Sequence, residues 1–107
     1  MEAKVVADNT EQVIDGIDDA ISRALEKIGL TAEGYSKRLC PVDTGRLRNS
    51  ITHVVSDGEK SVYIGTNVEY APYVEMGTVN TKAQPFLKPA ATNHKSTYEV
   101  ILINELS

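Results

Sequence analysis

Asp43 and Arg46 stand three residues apart in Pro41-Val42-Asp43-Thr44-Gly45-Arg46-Leu47-Arg48. A carboxylate beside a guanidinium can serve acid–base chemistry or hold an anion. Either role needs a further group, a second carboxylate or a phosphate-cradling glycine-rich loop, and neither adjoins this stretch. The same residues act structurally without help: Asp43 or Thr44 caps a short helix by accepting backbone N–H bonds, and Asp43 pairs with Arg46 in the same turn. His53 falls in a strand-like pattern and His94 in the last helical segment, so the two histidines have no metal-ligand spacing. They read as surface or cross-strand residues. No serine sits in a nucleophile-elbow pattern. Cys40 is the only cysteine, which excludes an internal disulfide and paired-cysteine metal sites. With no histidine near it in sequence, it reads as a small buried filler ahead of Pro41. No catalytic residue, metal or cofactor is expected.

The charge balance argues in the same direction. A net charge of −4 has the wrong sign for a domain whose affinity comes from neutralising phosphates. Lys37, Arg38, Arg46 and Arg48 cluster around the first motif, but Asp43 is interspersed among them, which suits local pairing or a protein contact. At 107 residues, 41% apolar and 24% charged, the chain is predicted to form one soluble domain with too small a core for a sizeable ligand chamber. No apolar run approaches the ~20 residues of a membrane span, and the opening Met1-Glu2-Ala3-Lys4-Val5-Val6-Ala7-Asp8 is too acidic for a signal peptide. A cytoplasmic site of synthesis and no membrane partner are expected.

The elements that position these residues follow from periodicity. Ile14, Ile17, Ile21, Ala24, Leu25, Ile28, Ala32, Tyr35 and Leu39 trace one stripe of a long helix over residues 8–39, with Asp8, Asn9 and Thr10 as caps and a break open at Gly29. The seven-residue repeat Ile14, Ile21, Ile28, Tyr35 could form a seam between subunits, but packing on the chain's own sheet is the favoured reading. Pro41 stops that helix. A short helix is predicted over 44–50, with Leu47 and Ile51 pointing inwards. The β-branched segments 51–56 and 61–66 flank Asp57-Gly58-Glu59-Lys60 and predict an antiparallel hairpin over 51–66. Val62 and Ile64 face one side, Tyr63 the other, and Gly65 marks a bulge or a close backbone approach. Two strands alone are marginal, so further pairing is expected, with residues 78–84 or with a neighbouring chain. Pro72 and Gly77 bracket a short helix over 71–76. Residues 78–85 read as a mobile loop or arm, and 88–106 as a C-terminal helix whose buried stripe is Ala91, His94 or Lys95, Tyr98, Ile101 or Leu102, and Leu106. The predicted fold class is α+β: a long N-terminal amphipathic helix and a C-terminal helix packed on a small antiparallel sheet containing a central hairpin, in one domain over 1–107.

Three stretches carry most of the structural punctuation: Pro41-Val42-Asp43-Thr44-Gly45-Arg46-Leu47-Arg48-Asn49-Ser50-Ile51, then Tyr70-Ala71-Pro72-Tyr73-Val74-Glu75-Met76-Gly77-Thr78, then Gln84-Pro85-Phe86-Leu87-Lys88-Pro89-Ala90. In this order and spacing, across residues 20–91, they resemble the small tail-component family of lambdoid-type long-tailed phages and prophages. Met76 departs from that pattern, standing where an aromatic is common. The resemblance implies a structural virion protein for tail completion or head–tail joining at the neck, built as a ring for which a hexamer is favoured. Its implied partners are copies of itself and the adjoining head-connector and tail-tube or tail-terminator proteins, with DNA only as cargo. It implies a location in the virion neck or tail after assembly in the host cytoplasm. In that picture Arg46 and Arg48 anchor the first motif to carboxylates such as Glu69 or Glu75, in the same subunit or the next. Tyr70 and Tyr73 with Phe86 and Leu87 wedge the second and third motifs against the sheet, and residues 78–84 reach a neighbour. A tail terminator is the nearest alternative. A small prophage-encoded enzyme or nucleic-acid-binding regulator is the alternative of another class.

Overall fold

The computed structural model describes residues 1–6, 18–41 and 45–106, so the caps and helical start expected at residues 8–17, and Asp43 and Thr44, lie outside the described residues. The order of elements is β1 (Glu2–Val6), α1 (Asp18–Leu39), α2 (Arg46–Ser50), β2 (Thr52–Ser56), β3 (Ser61–Gly65), α3 (Ala71–Met76), α4 (Leu87–Thr92) and α5 (Lys95–Leu106).

The fold is α+β; the described residues form five helices and an antiparallel sheet of three strands in the order β1-β3-β2. The central hairpin is β2 with β3, in the register Val54 opposite Tyr63 and Ser56 opposite Ser61. Its turn places Lys60 at φ 55°, in the left-handed region. The third strand is not residues 78–84: β1 pairs antiparallel with β3, Ala3 opposite Ile64 and Val5 opposite Val62. Its five residues alternate, with Ala3 and Val5 on the core side and Glu2 and Lys4 exposed.

Helix α1 packs on β2 and β3 and α4 on β1 and β3, so one sheet face is covered and the other is open, as antiparallel sheets allow. From α1, Ile21, Ala24, Leu25, Ile28 and Ala32 are buried, so the seven-residue stripe belongs to this chain's own core at Ile21 and Ile28. Leu39, expected on that stripe, is 46% exposed. Ser36 and Cys40, four residues apart, take the buried positions on either side of it. The helix runs through Gly29 without a break. A Cβ there would fall 2.5 Å from His53 Cδ2 and 2.9 Å from Val62 Cγ2, so the glycine is the point of closest helix–sheet approach. Phe86, Leu25, Ile64, Leu87 and Val62 are the largest fully buried side chains. Each contributes on the order of 1.5–3 kcal/mol of burial.

The expected helix over 88–106 is two helices with a turn at Asn93 and His94. The Tyr98 hydroxyl donates to the Ala90 carbonyl. Eight residues of unbroken helix would separate the two positions by about 12 Å along the axis, beyond a tyrosine's reach, so the bond requires the bend. His94 at the bend stacks on Tyr35 with ring centroids 3.6 Å apart. Helix α5 then lies along α1. Its run Val100-Ile101-Leu102-Ile103 is apolar on all sides, so only Ile101 and Leu102 pack inwards, while Val100, Ile103 and the expected stripe member Leu106 are 45–61% exposed.

Candidate functional site

The second and third motifs meet through one buried carboxylate. Glu75, 6% exposed, accepts hydrogen bonds from three backbone N–H groups: Phe86 (3.0 Å) and Leu87 (2.9 Å) on Oε1, and Lys88 (3.2 Å) on Oε2. Phe86 is the N-cap of α4 and Leu87 its first residue. A helix begins with four N–H groups that lack an intrahelical partner. Here Phe86, Leu87 and Lys88 give theirs to Glu75, and the fourth residue, Pro89, has none. The start of α4 is thereby fully satisfied, with a negative group at the positive end of its dipole. Sequence reasoning missed this role and offered Glu75 to an arginine. The cap acts from eleven to thirteen residues away, outside the local window in which capping patterns are read.

Around this latch the chain between α3 and α4 is closed into a defined loop. Gly77 ends α3 at φ 78°, and its N–H donates to the Tyr73 carbonyl at 2.8 Å. A Cβ on Gly77 would lie 2.7 Å from the Ala83 nitrogen and 2.9 Å from the Thr81 oxygen, so both the dihedral and the space require glycine. Thr78 and Thr81 exchange backbone bonds, and the Gln84 N–H donates to the Val74 carbonyl at 2.8 Å. Pro41 of the first motif joins Tyr70, Val74, Thr81 and Lys82 around a hollow of ≈ 280 Å³ beneath the loop.

The first motif is tied at two points to the segment that leads from β3 into the second. Arg46 makes a two-pronged contact with Glu69, Nη1 to Oε1 at 3.2 Å and Nη2 to Oε2 at 3.0 Å, and lies over the Tyr70 ring at 5.5 Å. The Glu69 carboxyl is held below its ordinary range by its own backbone N–H and then by Arg46, and the hydrogen bond to Glu69 holds the Arg46 guanidinium up in turn. Both groups are well exposed, so the contact directs geometry more than it adds stability. Inside it, the Thr66 hydroxyl bonds to Ser50 at the end of α2 and accepts from the Val68 N–H at 3.1 Å. Gly45 precedes α2 at φ 79°, which explains the glycine in this motif.

Of the other residues singled out by sequence, Leu47, Phe86 and Leu87 are buried, Tyr70, Pro72 and Pro89 half-buried, and Arg48 and Pro85 exposed. Tyr73 is 62% exposed and is no wedge against the sheet: Tyr70 takes that place beneath Arg46, and Tyr73 points outward with Met76 (69%) and Val79 (102%). Tyr73 and Met76 of the second motif, and Val79 just beyond it, are thus exposed apolar side chains.

The groups with chemical potential are engaged elsewhere. Cys40 is buried, which pushes its thiol up against a weaker opposing pull from Arg48, so it is poorly disposed to form thiolate. His53 is enclosed between two carboxylates of α1, Nε2 to Glu26 Oε1 at 2.6 Å and Nδ1 to Glu33 Oε1 at 3.1 Å. Burial alone would lower its pKa, but the hydrogen bonds to Glu26 and Glu33 outweigh burial and leave it raised. When protonated, His53 donates from both ring nitrogens and bridges helix and sheet. Among the described residues no group of histidines, cysteines and carboxylates is arranged to hold a metal ion, and no helix is long and apolar enough to cross a membrane.

Comparison with curated proteins and with solved structures returned no match. A family model does match, over residues 4–77, and its description reads "Bacteriophage HK97-gp10, putative tail-component". The match takes in α1, the sheet and the first two motifs, up to the glycine that closes α3, and the third motif lies beyond it. On that match the chain belongs to the HK97-gp10-like family of bacteriophage tail components.

Proposed function

We propose that this tail component is a tail-completion or head–tail joining subunit. It assembles into a ring at the virion neck, between the portal-connector side and the tail tube, and makes or breaks no covalent bond. The observation that carries the reading is the Glu75 latch. A buried carboxylate fastens α3 to α4 and holds the intervening loop, with Tyr73, Met76 and Val79 facing solvent, in one conformation. A preorganised apolar surface loses little conformational entropy on association, which suits a joint built by repeated protein contacts. The net charge of −4 suits a wall past which DNA slides as cargo. The role calls for no cofactor.

The test is a phage or inducible prophage in which this reading frame alone is interrupted. Micrographs of the lysate are expected to show filled heads and tails of normal length lying unjoined, with infectivity restored by the protein supplied from a plasmid. Tails of irregular length would assign the chain to tail termination instead, and normally joined infectious particles would overturn the neck role.

A further inference from the structure

Glu26, Gly29 and Glu33 follow one another at spacings of three and four on α1, so they share the side of the helix that faces β2. His53 of β2 sits against Gly29, where a side chain would strike its ring. Its two nitrogens reach the flanking carboxylates, Nε2 to Glu26 and Nδ1 to Glu33. The two carboxylates are placed unequally. The Glu33 side chain is 19% exposed and its second oxygen is held by Lys37, whereas that of Glu26 is 55% exposed and has no second partner among the described residues. The sheet brings no charge to this point: β3 presents Val62 to the same gap, and Ile64 stands opposite His53 in register. Among the described residues, Glu26 and Glu33 are the charged groups that act on the ring.

A neutral imidazole carries one N–H, so its other nitrogen presents a lone pair, and a carboxylate facing that lone pair at bonding distance is repelled. One of the two contacts must therefore open when the ring loses its proton. The ring is seated in the space that Gly29 leaves, so the carboxylate moves and the ring stays. Exposure selects which carboxylate. Glu33, mostly withdrawn from water, would lose a hydrogen bond that solvent replaces poorly, while Glu26 exchanges the ring for water at little cost. We propose that His53 is a one-sided pH switch between α1 and the sheet: on deprotonation it keeps Nδ1–H on Glu33, gives the Nε2 proton to solvent and releases Glu26. With the ring protonated, this side of α1 is tied to β2 and its turn at three places, Ser22 to Asp57, Glu26 to His53 and Glu33 to His53. With the ring neutral the middle tie is gone, and a free carboxylate stands beside β2, an edge strand of the sheet. The switch belongs to the single chain and does not depend on the ring assembly proposed above.

The chain has two histidines, so their ring nitrogens are readily followed by long-range proton–nitrogen correlation in the full-length, nitrogen-labelled protein, and His53→Gln assigns His53 by its loss. The titration runs from about pH 5 to about pH 9, which brackets the ordinary range of histidine. Circular dichroism at both ends confirms that each protein is folded. Below the transition both nitrogens of His53 are expected to carry protons; above it Nε2 is expected to be the bare nitrogen, with Nδ1–H retained. Glu33→Gln removes the anchoring charge and keeps the shape, and is expected to reverse the tautomer, with Nε2–H on Glu26 and Nδ1 bare. Glu26→Gln is expected to keep the wild-type tautomer and to lower the transition by up to about one pH unit. A neutral wild-type ring protonated on Nε2, or an even mixture of the two tautomers, would overturn the proposal. So would a Glu33→Gln protein whose neutral ring keeps Nδ1–H, or a wild-type His53 that does not titrate across this range.

Discussion

Glu75 carries a large structural consequence, since three backbone donors, those of Phe86 and Leu87 buried and that of Lys88 partly so, depend on its two oxygens. Removing them in Glu75→Ala leaves those donors without acceptors and is expected to cost about 3 kcal/mol, read as a shift in urea midpoint at unchanged slope. Glu75→Gln separates cap from packing. Its carbonyl oxygen still accepts from Phe86 and Leu87, but its amide turns donor towards donor at Lys88, so roughly half the loss is expected back. A Glu75→Ala variant as stable as wild type would deny the latch its role. None of this was legible from the sequence, which shows a glutamate in a short helix and a proline-flanked turn and nothing that links them. Arg46 was different: Glu69, just before the second motif, was already one of the two carboxylates expected to receive it, and the structure pairs it there.

At the scale of elements, the α1–sheet contact is organised by Gly29 and by His53, held between Glu26 and Glu33. The two glycines of α1 should respond oppositely. Gly29→Ala would gain up to about 1 kcal/mol of helix propensity, but its methyl meets the His53 ring and Val62, and overpacking of about 1–3 kcal/mol outweighs the gain. Gly34 has nothing within 4 Å, so Gly34→Ala is expected to raise stability by up to about 1 kcal/mol in the same thermal melts. His53 adds a pH dependence. Its pKa is raised on folding above 6.5, so its stabilisation is complete below the unfolded value and is lost as the pH rises through the folded one. The groups facing it are Glu26 and Glu33 from α1, with Lys37 on the far oxygen of Glu33 at 3.3 Å. Urea midpoints should therefore fall as the pH is taken from mildly acidic to alkaline, and His53→Gln should flatten that slope.

These elements also show what sequence patterns convey. The heptad-like stripe, the hairpin around Asp57-Gly58 and the proline–glycine brackets of α3 rest on local spacing, and the structure places helix, hairpin and helix there. Strand β1 was missed because Glu2-Ala3-Lys4-Val5-Val6 is short and weakly apolar, and only β3, some sixty residues away, makes it a strand. The bend between α4 and α5 was missed for a related reason. Asn93-His94 carries no proline or glycine, and the cause lies in the Tyr98 bond to Ala90 and the stacking of His94 on Tyr35. Local chemistry specifies elements, and distant contacts decide where they stop.

At the scale of the whole molecule, the body is elongated, with extents of 51 × 22 × 19 Å and a radius of gyration of 15.0 Å against about 13 Å for a compact chain of about 100 residues. Length of this kind suits a subunit that meets its neighbours side by side. The acidic balance adds a separate consequence. A protein that lets DNA pass must not hold it, and affinity for duplex DNA comes chiefly from cations that replace phosphate counterions. Here Lys4 is engaged by Glu59, Arg46 by Glu69, Lys27 and Arg23 by Glu105, and Lys37 by Glu33, so much of the positive charge is already matched within the chain. Purified protein should therefore give no retarded band with duplex DNA even at ~50 mM salt, where phosphate contacts are strongest. A retarded band that fades as salt rises would instead mark a phosphate-neutralising surface and favour a nucleic-acid-binding regulator over a structural joint. Charge reversal at exposed Glu59 and Glu69 together removes the carboxylates that face Lys4 and Arg46 and offers a positive control, since retardation should appear in that variant if the pairing is what keeps the wild-type protein from binding.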